Sequence, residues 1–243
     1  MELINEVLIL AILIIFQSIF GVGLLLFGTP TFLYFDYSFS ETLYLLLPLS
    51  FVISLIQFTK SKQKEKSFIN SFNKFTVPSL IVSLVIILLF QELINLKIFI
   101  SIMLISFSLI SFDKKIFKKF ILRNSYKNIF FILLGAIHGL TNLGGGFLAL
   151  YSNIIVKKNK DLTRYYISYG YLVMVSVQLL VLFIMQSKDF NYNNLLYILL
   201  VLILYFPTQI IYKKIDQLKF ANIIRIIAIF YGLFILINSW SSS

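Results

Sequence analysis

The residues able to carry chemistry are few and unevenly placed. The chain holds one histidine, His138, and no cysteine, so thiol nucleophiles, disulfides and cysteine metal sites are excluded. All ten acidic residues, from Glu2 to Asp216, fall near the ends of apolar segments or in loops. Carriers coupled to protons or sodium often keep a carboxylate deep in a span, and none is placed so here. The deep segments instead hold glycine and small polar groups. GVGLLLFGTP (21–30) carries Gly21, Gly23, Gly28, Thr29 and Pro30, and HGLTNLGGG (138–146) carries His138, Thr141, Asn142, Gly144, Gly145 and Gly146. A helix restarting after such a break presents unpaired N–H groups and the positive end of its dipole. That is the chemistry of an anion site, and it needs neither metal nor cofactor.

Each group also has a plainer use. Glycines in spanning helices serve close packing. His138 either fixes the turn as a neutral hydrogen-bonding residue or touches substrate and moves a proton, since imidazole titrates near neutral pH. Gln57 and Gln178 are amides in apolar runs, suited to bonding helices together or to lining the same cavity. Pro30 falls within the first turns of its half-helix, where a missing N–H matters little.

The elements that must position these groups are read from composition. Hydrophobic residues make up 59% of the 243 positions and charged residues 13%, against about a quarter in a soluble domain. The chain reads as an all-α polytopic membrane protein of the cell membrane, with about six to eight crossings at roughly 20 apolar residues each. Apolar segments cover 7–35, 42–58, 76–90, 97–112, 128–156, 163–186, 195–212 and 220–238. Tyr34, Phe35, Tyr37, Tyr165, Tyr166, Tyr192 and Trp240 stand near segment ends, as interfacial aromatics do. The net charge of +11 collects in loops, so it reads as a positive-inside bias and not as nucleic-acid binding. Arg225, inside the last segment, is expected to snorkel to the cytoplasmic surface.

KSKQKEKSFINSFNK (60–74) and DKKIFKKFILRNSYK (113–127) are basic and should be cytoplasmic. The fifth segment has basic flanks on both sides, ending at Lys127 and resuming at Lys157, Lys158, Lys160 and Arg164. A re-entrant hairpin satisfies both flanks. Two arms of about 14 residues reach roughly 20 Å, with the turn at Asn142 to Gly146.

Self-comparison gives a repeat. Gly23 and Gly144, Thr42 and Thr163, Tyr44 and Tyr165, and Gln57 and Gln178 all stand 121 residues apart, and at the same offset Gln17 meets His138 and Gly21 meets Asn142. Residues 1–112 and 128–243 are thus two four-segment repeats joined by a basic cytoplasmic linker, 113–127. Loop charge changes sign between equivalent loops, which favours an inverted pair, each with three spanning helices and one re-entrant or broken hairpin. Eight full spans in parallel repeats are the alternative.

GVGLLLFGTPTFL and HGLTNLGGGFLAL resemble the two halves of the TauE/SafE family of membrane permeases, the sulfite exporter family. Those proteins carry duplicated units, each opening on a glycine-rich stretch such as GxGGG followed by an apolar run and proline. Gly21, Gly23 and Pro30 fit the first copy, with Leu24 and Leu25 in place of two glycines. Gly144, Gly145 and Gly146 fit the second, with Tyr151 where proline is usual. The resemblance implies a permease, not an enzyme, for sulfite or related organosulfur and organic anions, bound between the two glycine-rich breaks at mid-membrane. Expected partners are a small anionic solute and the lipid bilayer, with self-association into a homo-oligomer open. Two other classes compete: a non-transporting scaffold or assembly factor, and an intramembrane enzyme.

Overall fold

In the computed structural model the described residues are 3–241, apart from 62, 64, 113–117, 119–120, 122–123, 157–158 and 215–216; the side chains at 111–112, 124–125, 217–225 and 239–241 are also outside the description. Much of the basic linker, Lys157, Lys158 and the side chains of Arg225 and Trp240 therefore lie outside the described residues.

Apolar runs with no alternating pattern bury their backbone polar groups within helices. Among the described residues there are ten α-helices and no strand. They are α1 (Leu3–Phe20), α2 (Leu24–Tyr34), α3 (Phe39–Thr59), α4 (Lys66–Phe90), α5 (Leu96–Phe112), α6 (Asn124–Thr141), α7 (Gly144–Val156), α8 (Lys160–Met185), α9 (Ile198–Lys214) and α10 (Gln217–Ser241). Five stretches are long and apolar enough to cross a membrane: α1, α3, α4, α8 and Tyr192–Lys214. The outer surface is apolar, with Leu180, Ile184, Ile203 and Phe230 all exposed, as a lipid-facing surface requires.

The first and fifth apolar segments each break into two helices that fold back. Phe27 meets Phe16 edge-on at 6.0 Å, and the Tyr37 hydroxyl donates to Glu6 Oε2 at 2.7 Å, so α2 returns along α1. Burial and that bond to Glu6 hold the Tyr37 hydroxyl well above the ordinary tyrosine range. In the other half Tyr151 of α7 stacks on Phe130 of α6 at 5.4 Å. By length α1 qualifies as a span, yet its contacts make it one arm of a hairpin.

The α1–α2 hairpin opens at one end of the bundle, marked by Asp36, whose carboxylate pairs with Lys97 at the start of α5. The α6–α7 hairpin opens at the opposite end, marked by Lys60. Helix α4 leaves the Lys60 end with α6 running parallel beside it, Thr76 donating to the Phe131 carbonyl at 3.2 Å. A side chain at Gly135 would overlap Thr76 and Ser79, and one at Gly139 would overlap Leu80 and Ser83. This GxxxG pair lets α4 and α6 touch backbone to backbone. Helices α3 and α8 run antiparallel: Phe58 stacks on Tyr165 at one end, and Tyr44 meets Phe190 just beyond the other.

Helix α3 starts at Phe39 and α8 starts 121 residues later at Lys160. Their caps recur too. Ser38 accepts from Glu41 N–H at the start of α3, and Asn159 accepts from Leu162 N–H at the start of α8.

Two expectations need correction. The stretch 60–74 is not a loop throughout, because α4 begins at Lys66. Phe68 and Phe72, one turn apart, are buried against Tyr166, Tyr169 and Phe131, which draws the helix ten residues past the apolar core. Tyr165 and Tyr166 are core residues in that same aromatic cluster and not interfacial anchors.

Candidate functional site

Both hairpin turns use the same device. Helix α1 ends in Gly21 (φ 76°), whose N–H donates to the Gln17 carbonyl at 2.8 Å; α6 ends in Asn142 (φ 64°), whose N–H donates to the His138 carbonyl at 2.8 Å. This is the left-handed cap that closes many helices, taken by glycine or asparagine. Gly23 (φ 131°) then starts α2 without a side-chain cap, in a conformation glycine alone reaches cheaply. Each turn is fastened by the glutamine of its own half. Gln57 Nε2 donates to the Gln17 and Ser18 carbonyls at 3.2 Å each, and Gln178 Nε2 donates to Asn142 Oδ1 at 3.4 Å.

The hairpins are joined by one buried bond. Asn142 Nδ2 donates to Thr29 Oγ1 at 2.9 Å, linking the α6–α7 turn to the middle of α2. Thr141 is occupied locally, donating to the Ile137 carbonyl and accepting from Leu143 N–H. Pro30 sits in the second turn of α2, where the Leu26 carbonyl loses its helical donor. Gly28 lets Leu13 and Leu46 close on α2.

The start of α7 is enclosed from three sides. Side chains on Gly144, Gly145 and Gly146 would overlap His138, Tyr171 and Phe107 respectively. Around it stand buried polar atoms without a well-formed hydrogen bond: both ring nitrogens of His138, the Tyr171 hydroxyl and Gln178 Oε1, with the Gln178 side chain within reach of the His138 ring. The His138 and Tyr171 rings meet edge-on at 6.2 Å. Residues 121 positions earlier form the equivalent cluster, Gln17, Ser50 and Gln57. There Gln17 Nε2 donates to Ser50 Oγ at 2.8 Å, while Gln57 Oε1, like Gln178 Oε1, is left without a partner.

The two glycine breaks do not face each other across one gap. A side chain on Gly21 would meet Ile167 near the start of α8, whereas Asn142 is held by Gln178 further along the same helix. Eleven helical residues separate those levels by roughly 16 Å. The hairpins overlap and pass one another, because each arm is longer than half the bundle. The start of α2 faces the Lys60 end and the start of α7 faces the Asp36 end.

Arg164, read from sequence as a loop charge, turns inward. Its Nη2 donates to the Ser18 carbonyl at 2.6 Å and its Nη1 to Gln209 Oε1 at 2.8 Å, with the guanidinium 3.6 Å from the Tyr212 ring centre. The Ser18 carbonyl also accepts from Gln57 and Gln209. A cation at the carbonyl end of α1 compensates that helix dipole. Among the described residues no three carboxylate or imidazole groups gather as metal ligands. Comparison with family models, with curated proteins and with solved structures gives no match.

Proposed function

We propose that the protein is a membrane permease for small anions, sulfite and related organosulfur or organic oxyanions being the expected class. In this reading the chain is an inverted duplication. Helices α3, α4 and α5, and their counterparts α8, α9 and α10, cross the bilayer, and one hairpin re-enters from each side. The Lys60 end is cytoplasmic, since Lys66, Lys127, Lys160, Lys213 and Lys214 all belong to it.

The observation that carries the reading is the buried Asn142–Thr29 bond between two hairpins of opposite direction. Broken helices meeting inside a bundle from two repeats are the arrangement in which transporters place substrate. In the overlap the two amide-rich helix starts face opposite sides. An anion from the cytoplasm meets the start of α2, passes the Thr29–Asn142 contact, and reaches the start of α7 with its open cluster of His138, Tyr171 and Gln178. Rocking of one repeat against the other changes which side has access. With the inside negative, outward movement of one negative charge is favoured by about 2.3 kcal/mol per 100 mV.

A scaffold reading draws support from the glycines, which all have packing neighbours. Flux separates the two. Proteoliposomes holding the protein should release sulfite, sulfoacetate or a small carboxylate faster under an inside-negative potential, while a scaffold moves none of them. Topology is checked separately: a cysteine at Asn159 should be labelled only from the cytoplasmic side and one at Tyr192 only from outside. Labelling of both from one side contradicts the inverted arrangement.

A further inference from the structure

Beside the tip of the α1–α2 hairpin lies a cavity of about 420 Å³, walled by Gln57, Lys60, Gln63, Asp161, Arg164 and Tyr205. Two cations face one carboxylate, so the cavity attracts anions. Two of its lining residues carry a polar atom with no partner that is shut off from solvent, so a ligand reaches either atom only once its side chain turns toward the cavity. Arg164 uses Nη1 and Nη2 on Gln209 and Ser18 but leaves Nε unpaired. Gln57 uses Nε2 on the Gln17 and Ser18 carbonyls but leaves Oε1 unpaired. The Lys60 ammonium stands over the Tyr205 and Phe206 rings at 4.9 and 4.8 Å.

The unpaired atoms are one donor and one acceptor. A bare oxyanion satisfies Arg164 Nε and Lys60, yet sets lone pair against lone pair at Gln57 Oε1. An oxyanion that also bears a hydroxyl satisfies all three, and an unmade buried hydrogen bond is the stronger discriminator. We propose that this cavity is a cytoplasmic loading site selective for small monoanions that carry a hydroxyl donor, the oxyanion on Arg164 and Lys60 and the hydroxyl on Gln57 Oε1. It rests on the permease reading and narrows its substrate class.

The test is equilibrium binding by calorimetry to full-length protein in phosphatidylcholine nanodiscs. Methanesulfonate and hydroxymethanesulfonate are the probes, alike in charge and one hydroxyl apart. Hydroxymethanesulfonate should bind about tenfold more tightly. Gln57→Leu should erase that preference, so that the two probes bind equally. Arg164→Gln and Lys60→Gln should weaken both probes tenfold or more. Lys60 lies at an exposed helix end, so its variant still reports if Arg164→Gln does not fold. Equal affinity for the two probes in the wild type overturns the proposal, as does a preference that survives Gln57→Leu. Adding phosphatidylglycerol at high ionic strength, which screens its surface charge, should leave the Kd unchanged; a Kd that rises with it there assigns the cavity to a lipid head group and overturns the proposal. Flux without hydroxyl preference removes only the loading site. Binding with that preference but no flux of any anion supports the loading site and contradicts the permease reading.

Discussion

Gly145→Ala is expected to lower the melting temperature of the purified protein by about 4–10 °C and its anion flux at least tenfold. An added Cβ at this position overlaps both the hydroxyl and the ring of Tyr171, which is fully buried on α8. Replacing glycine inside a helix ordinarily stabilises by about 0.4–1 kcal/mol. Overpacking costs about 1–3 kcal/mol, and more where neighbours cannot move. The second effect wins here, because Tyr171 is hemmed in on a long helix. For a chain of this length each kcal/mol shifts melting by about 2–4 °C. The double variant Gly145→Ala with Tyr171→Ser places at 171 the residue type found at Ser50, its counterpart 121 positions earlier. It should relieve the overlap but leave a cavity where the ring stood, so the melting temperature stays below the wild type and the flux does not return, since the open cluster at the start of α7 is lost. Recovery of both would mean that Tyr171 only fills space.

Asn142→Leu has the other large effect. Leucine at φ 64° costs about 1–2 kcal/mol. It also removes the partner of Thr29 Oγ1 and of Gln178 Nε2, each a buried group whose loss costs about 1–3 kcal/mol. Together these should leave little folded protein, read as loss of the monodisperse peak on size exclusion. Asn142→Gly separates the two causes. It keeps the left-handed cap and deletes the bridge to Thr29 together with the bond from Gln178, so it should fold, melt below the wild type and move anions at least tenfold more slowly.

Much of this was legible in the residues. Glycine and asparagine mark the two turns because they tolerate the left-handed cap at low cost, so the breaks fall at 21–23 and 142–143, the second shorter than the expected Asn142 to Gly146 because Gly144 already opens α7. The offset of 121 was readable from Gln57 and Gln178, and the same interval separates the start and cap of α3 from those of α8. The depth of the turns was not. Arm length sets how far a hairpin can reach, but the level at which it stops depends on its partner, here Ile167 for Gly21 and Gln178 for Asn142. Arg164 was hidden for a different reason. It follows KKNKDLT, and in a run of charges nothing local distinguishes the one side chain that turns in to meet the Ser18 carbonyl. The early start of α4 was masked likewise, because the spacing of Phe68 and Phe72 is embedded among lysines and asparagines.

Two helix breaks, tied through one asparagine, are held to make the path for a negatively charged solute. The most direct check places wild type and Asn142→Gly side by side in proteoliposomes and follows sulfite efflux under a set potential. Wild type should conduct the anion at a rate that rises with inside-negative voltage, with the glycine variant folded and nearly silent. Equal efflux from the two proteins, or none from a well-folded wild type, would contradict the account.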